Sequence, residues 1–400
     1  MGQPVLVLEN PIQDYAWGSR TAIAELLGRP GPSPGPEAEL WIGGHPKAPS
    51  RIVAPPGLGT LDEAIQKDPV GLLGREVCDH FGNELPFLLK VLAAAEPLSI
   101  QAHPDHEQAR RGWARENAEG IPVDAPRRNY RDPNHKPELV CALEPFFALK
   151  GFRPVEEVAR NLEPVARPEF AAELGRLARE RSPSSLRALF ARLMTLDGEE
   201  QVSVLKRSTA EAARRRHTDP AWEWVGRLMT RYPADVSVLS PLYLNLVTLA
   251  PGEALFLPAG ELHAYLGGTA LEIMANSDNV LRGGLTPKHV DLSELMRLLQ
   301  FRAEQPQIVR PERRDDGARV YVTPAEEFEL ALLRLSSEAP QPVAGDHGLE
   351  VLLVVDGRVR LSSAQTTLDL TRGDAVLVPA AADAYSLEGE ARVARARVPR

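Results

Sequence analysis

Apolar residues fall into two different rhythms along this chain. From Phe87 to Ile100 and from Leu244 to Leu257 they form short, nearly unbroken runs rich in Leu and Val, the second interrupted by Pro251-Gly252. Such runs, bounded by turn residues, predict buried strands joined by tight turns. From Pro154 to Tyr232 the spacing changes. Leu186, Leu189, Phe190 and Leu193 recur with polar residues between them, the period of an amphipathic helix. That stretch predicts a helical insertion in a strand-rich chain. Beyond about Gln307 the strand rhythm returns, and Asp356-Gly357 between Val351–Val355 and Arg358–Leu361 predicts a two-residue hairpin turn.

A degenerate repeat sharpens this outline. Gly252-Glu-Ala-Leu-Phe-Leu-Pro258-Ala matches Gly373-Asp-Ala-Val-Leu-Val-Pro379-Ala in spacing and chemistry. Each copy predicts turn, strand, turn. A glycine and an acid, four apolar residues and a proline, followed shortly by histidine, resemble the second signature of cupin jelly rolls, whose strands close into a small barrel. Continuing the alignment sets His263 opposite Ala384, so metal chemistry is expected in the first copy and not in the second. The expected fold is mainly β with a helical insertion: two cupin-type jelly-roll barrels plus an α-helical domain. The expected units are residues 1–152 with 238–306 as the catalytic β domain, 153–237 as the helical domain and 307–400 as a C-terminal β domain without metal ligands. The Pro- and Gly-rich piece Arg29 to Pro36 predicts an exposed loop.

Composition narrows the function classes. Four hundred residues exceed one usual compact core, and 43% hydrophobic with 25% charged residues is ordinary for globular proteins. A net charge of −9 argues against a nucleic-acid-binding body. It also means that an anionic substrate needs a local basic pocket. Cys78 and Cys141 are the two cysteines, too few for a disulfide framework and consistent with a reducing, cytoplasmic setting. No run reaches the roughly 18 apolar residues of a membrane span, and Met1 to Gly18 lacks a signal-peptide pattern.

Candidate chemistry lies in three segments. Gln101 and His103 sit two apart, so in extended backbone both project from one face. In Asn134-His-Lys-Pro-Glu138 the same alternation puts Lys136 and Glu138 on one side and His135 on the other, with Pro137 suited to a strand edge. With His263 these segments offer two imidazoles, a carboxylate and an amide oxygen, a set suited to Zn²⁺ with room for water or substrate. Each histidine alone is better explained as a hydrogen-bonded core or surface residue; the combination of three segments with a cupin-like strand pattern raises the metal reading, and the spacing leaves both readings open. Arg110, Arg111 and Arg115 fall in an expected surface helix, and Arg214, Arg215 and Arg216 on a solvated helix face.

Longer motifs then point further. Leu98-Ser-Ile-Gln-Ala-His-Pro-Asp105, Asn129-Tyr-Arg-Asp-Pro-Asn-His-Lys-Pro-Glu138 and Asn276-Ser-Asp-Asn-Val-Leu-Arg-Gly-Gly-Leu-Thr-Pro-Lys288 resemble type I mannose-6-phosphate isomerases. Gln13-Asp-Tyr-Ala-Trp-Gly-Ser19 and Glu39-Leu-Trp-Ile-Gly-Gly-His-Pro46 resemble that family too. The resemblance spans about residues 10 to 295 and is weakest in the helical stretch. It implies one zinc ion per chain on Gln101, His103, Glu138 and His263, and a functional arginine at Arg282. It further implies a sugar-phosphate substrate and interconversion of mannose 6-phosphate and fructose 6-phosphate through a cis-enediol; the sequence does not reveal the oligomeric state, for which a monomer is favoured. The expected proton-transfer groups are Lys136, Glu272 and Asp278, with His135 behind them. Ser99, Lys90, Lys288 and Trp17 are the expected substrate contacts, with Trp41 also near the sugar. Two other readings compete: an Fe²⁺ cupin dioxygenase, weakened by Gln101 as a fourth ligand, and a non-catalytic sugar-binding cupin.

Overall fold

The computed structural model describes residues 2–337 and 340–399. Its strands form two ten-stranded antiparallel sheets. The Leu- and Val-rich runs are strands as expected, Phe87–Ala94 and Ile100–Ala102 in the first case, Leu244–Leu249 and Ala254–Leu257 in the second. All eight residues of Phe87–Ala94 are buried, which explains why the run lacks polar alternation.

One long strand, His263–Ala275, organises the first sheet. Near its start it pairs with Ile100–Ala102 and Phe146–Phe152; further along it pairs with Phe87–Ala94 and Glu138–Ala142. The switch occurs where the register shifts between Tyr265 and Gly267. Gly268 beside it has φ +111, and a Cβ there would lie 2.6 Å from the Pro145 carbonyl oxygen. Only glycine fits, and the strand can turn from one side of the barrel to the other.

The helical stretch is an expanded hairpin connection. Strands Phe146–Phe152 and Leu244–Leu249 are antiparallel neighbours with Phe146 opposite Leu249, and every helix from Val155–Leu162 to Pro220–Arg231 lies between them. Leu186, Leu189, Phe190 and Leu193 all face its core with Trp222. Arg214 and Arg215 both pair with Glu211, a solvated arrangement as expected. Arg110, Arg111 and Arg115 lie on helix His106–Ala118, where Arg111 pairs with Glu107 and Arg115 reaches Glu294.

The repeat is visible in three dimensions. Ala254–Leu257 and Ala375–Val378 are both four-residue strands, and His263–Ala275 and Tyr385–Arg397 are both thirteen-residue strands. The expected hairpin at Asp356-Gly357 is absent. Glu350–Ser363 is instead one continuous strand with a register shift between Val354 and Asp356. Gly357 has φ +83, and a Cβ there would meet the Glu390 carbonyl oxygen at 2.0 Å. The Asp-Gly pair marks a bulge in a bent strand, because the same positive φ serves a turn or a bulge. The N-terminal strands Leu6–Glu9 and Arg51–Ala54 also pair within the C-terminal sheet, Leu6 opposite Leu377. Alternation of side chains assigns a face to a short strand but not a partner sheet. Among the described residues no helix is long and apolar enough to cross a membrane.

Candidate active site

Strand ends bring the predicted metal ligands together. Gln101, in Ile100–Ala102, lies between two neighbours in register, His263 on one side and Arg282 on the other. His103 follows that strand directly, and Glu138 opens Glu138–Ala142 opposite Leu257 and Met274. His103, Glu138 and His263 are buried, and their ligand atoms lie within 4.8 Å of one another.

Hydrogen bonds prepare these side chains for a cation. His103 donates from Nδ1 to the Asn279 carbonyl at 2.7 Å, and His263 donates from Nδ1 to the Glu261 carbonyl at 3.2 Å. A carbonyl can only accept, so each ring presents a bare Nε2. Those nitrogens stand 3.3 Å and 3.4 Å from the two Glu138 oxygens. Zinc ligands at about 2.0 to 2.1 Å in a tetrahedron are roughly 3.3 Å apart, so the residues present fit the ion. His103 Nε2 is moreover buried with no hydrogen-bond partner among the described residues, as a metal-ligating nitrogen should be. Burial keeps His103 in its neutral form, against the pull of Glu138. Burial would raise the Glu138 carboxyl, but Lys136 and the two imidazoles outweigh it and hold it well below the usual range. Gln101 donates its amide nitrogen to Ser99 Oγ at 3.3 Å, leaving the amide oxygen for a cation.

Asn279, fully buried, ties two motifs to this centre. Its amide nitrogen donates to the Asp132 and Asn134 carbonyls at 2.9 Å and 2.8 Å, while its own carbonyl orients His103. Asp132 in turn accepts from the Ser277 hydroxyl at 2.8 Å and the Asp278 amide at 2.7 Å. Sequence reasoning quoted both motifs without assigning these two residues a role. The signal was the density of Asn and Asp, which fasten irregular backbone.

A cavity of about 810 Å³ adjoins the metal ligands through Gln101 and Lys136. Trp17, Trp41, Ser99, Asp278, Arg282, Lys288 and Lys90, all candidates from the sequence, line it together with Tyr15, Lys47 and Arg131, to which the sequence assigned no role. Arg131 stood inside a quoted motif and was legible there. Lys136 Nζ is 3.1 Å from Glu138 Oε1.

Electrostatics separates the cations into two groups. Lys90 is buried 3.0 Å from Glu272 and 3.8 Å from Glu39; burial works against its charge, yet those carboxylates hold its ammonium above the usual range. Its charge is already matched. Arg131, Arg282 and Lys288 have no acidic side-chain partner among the described residues. Burial and then Arg131 lower the Arg282 pKa, and burial, Arg282 and Arg131 lower that of Lys288. Three unpaired cations edging one cavity form a site waiting for a polyanion.

Two expected proton-transfer groups are placed differently from the expectation. Glu272 does not line the cavity; it accepts from Lys90 Nζ at 3.0 Å and from the Tyr265 hydroxyl at 2.8 Å. Cross-strand pairing sets Glu272 opposite Lys90, and its carboxylate is taken up by that ammonium and by Tyr265. His135 turns away to bond Glu327 and likewise leaves the cavity lining. Asp278 does line it, but Lys47 at 2.7 Å and the neighbouring His45 outweigh burial and hold its pKa down. That makes it a weak base. Burial holds His45 itself down at about 4, neutral near pH 7.

Comparison with known proteins was consistent with this geometry. Residues 5–155 match the family model for phosphomannose isomerase type I, catalytic domain, and residues 318–398 that for mannose-6-phosphate isomerase, cupin domain. The chain is 42% identical to the mannose-6-phosphate isomerase of Escherichia coli (strain K12), over 97% of this chain and 98% of that protein. It is 35% identical to the Homo sapiens mannose-6-phosphate isomerase, over 94% and 93% of the two chains. A zinc-bound mannose 6-phosphate isomerase crystal structure superposes with TM-score 0.91 at 40% identity, covering 99% of this chain and all of that one.

Proposed function

The chain belongs to the type I phosphomannose isomerase family; on that footing we propose that it interconverts mannose 6-phosphate and fructose 6-phosphate as a zinc-dependent aldose–ketose isomerase. The observation that carries this reading is a fitted metal-ligand set beside a cavity edged by three unmatched cations. The first suits a sugar's hydroxyl and carbonyl oxygens, the second its phosphate.

Aldose–ketose interconversion moves a proton between C1 and C2, and a cis-enediol is the natural intermediate. Zinc, when bound by Gln101, His103, Glu138 and His263, supplies Lewis acidity toward substrate oxygens. The rest falls to the protein's own groups. Lys136 is the proton carrier, because it lines the cavity beside the metal ligands while Glu272 and His135 do not, and Asp278 is clamped by Lys47. Arg282 stabilises the enediolate, and Arg131 and Lys288 hold the phosphate beside it. Ser99 orients Gln101. Trp17, with Tyr15 stacked 5.8 Å away, and Trp41 flank the sugar. Lys90 lines the cavity with its charge already matched by Glu272 and Glu39. Two free thiols suit the cytoplasm.

Purified protein given mannose 6-phosphate should form fructose 6-phosphate, stop after chelation and recover with zinc. No product under any of these conditions would sink the reading. Proton transfer is separable from binding by isotope exchange. Lys136→Met should lose both kcat and deuterium incorporation at C2, whereas Asp278→Asn should keep exchange in proportion to its turnover. Exchange surviving in Lys136→Met while turnover falls would move the base elsewhere.

A further inference from the structure

Away from the sugar cavity, three further ligand-type side chains converge. His106 opens helix His106–Ala118, His135 precedes Lys136 in the loop leading to Glu138–Ala142, and Glu327 comes from the segment just before strand Glu329–Leu335 of the C-terminal sheet. Their ligand atoms lie within 4.8 Å of one another. We propose that His106, His135 and Glu327 form a second divalent-cation site, for a borderline ion such as Zn²⁺, which clamps the C-terminal sheet to the loop carrying Lys136. None of the three lines the sugar cavity, so this site stands whether or not the isomerase reading does.

The donor set is the first argument. Two imidazoles and one carboxylate suit a zinc-like ion, with water completing the sphere. An unmet need is the second. Glu327 is 8% exposed, and its Oε2 is buried without a hydrogen-bond partner among the described residues while Oε1 takes the bond from His135 Nε2. An orphaned carboxylate oxygen is costly unless something positive reaches it. The imidazoles supply the third argument: the His106 and His135 rings stack with centroids 3.5 Å apart and planes 22° from parallel. Two stacked rings cannot both be protonated without repulsion, and burial with the neighbouring His135 keeps His106 on the neutral side. A neutral imidazole is a metal ligand. His106 is exposed, so an ion enters from solvent without crossing the sugar cavity. Zinc ligands lie roughly 3.3 Å apart, so small side-chain rotations from the present bond between His135 and Glu327 admit the ion.

The test is zinc titration of the intact holoenzyme, first freed of loose metal, by calorimetry and elemental analysis after dialysis against micromolar Zn²⁺. A second, weaker equivalent per chain is expected. His106→Ala and Glu327→Gln should each weaken that second equivalent and retain the first, whereas His263→Ala should lose the first and retain the second. Loss of an outer partner of a ligand already costs about 10- to 100-fold in metal affinity, so loss of a direct ligand should cost at least as much. His106 sits at an exposed helix start, so His106→Ala keeps the test valid if Glu327→Gln folds poorly. Bound Co²⁺ should also give a visible absorption band that His106→Ala removes. One equivalent only at excess zinc, or a second equivalent unchanged by both substitutions, would overturn the proposal.

Discussion

His263→Ala should leave the purified chain without tightly held metal in the first site and with almost no turnover, while Ala384→Ser leaves both unchanged. The two positions align in the repeat, yet their surroundings differ. His263 is buried at 4% exposure, carries a bare Nε2 set by its bond to the Glu261 carbonyl, and stands 3.4 Å from Glu138. Ala384 is exposed and precedes Tyr385–Arg397. With the imidazole gone, the remaining Gln101, His103 and Glu138 form an incomplete sphere. The fold should persist, because the strand around His263 is held by backbone pairing to Gln101 and Lys150 rather than by the ring. Elemental analysis beside turnover and a melting curve checks this. Normal content at that site in His263→Ala would remove the residue from the ligand set.

Arg282→Ala should lower kcat by about 10²- to 10³-fold, or roughly 3 to 4 kcal/mol, the scale of losing one preorganised donor to a developing oxyanion. Zinc content and melting temperature should barely move. A surface salt bridge is the alternative explanation for this arginine, and it would contribute under about 1 kcal/mol with no effect on chemistry. The structure offers it no acidic partner among the described residues. Its strand position next to Gln101 and its place in the cavity wall put the guanidinium beside both the metal ligands and Lys288. Gly284, two residues on at φ +123, approaches so closely that a Cβ would meet Ser237 Cβ at 2.2 Å, so the irregular strand end that carries Arg282 packs directly on Ser237. Arg282→Lys should recover only part of the loss, since a point charge cannot replace a planar fork. Near-normal turnover in Arg282→Ala would refute the catalytic role, and a collapsed melting temperature would make the residue structural.

Much of this molecule was readable along the chain. Period and punctuation marked the buried strands, the helical insertion and the repeat, because each reports local geometry: two residues per strand repeat, 3.6 per helical turn, and special backbone angles at Gly and Pro. Gln101, His103 and Glu138 were readable because they sat in long family-like motifs, and His263 because it followed the first copy of the repeat. Asp356-Gly357 misled for the same reason that it was informative. A glycine at positive φ announces a sharp local bend, and whether that bend reverses the chain or kinks a strand depends on Glu390 and Ala391 across the sheet.

What pairs with what was not readable, since contacts distant in sequence leave no local trace. Glu272 looked like a free carboxylate until cross-strand register set it against Lys90, and His135 looked like a possible base until Glu327, from the far side of the chain, drew it away. Lys47 fixed Asp278 in its charged form in the same manner. Residue identity settles which chemistry a side chain can perform; its neighbours settle whether its charge is already spent, and for Arg131, Arg282 and Lys288 it is not.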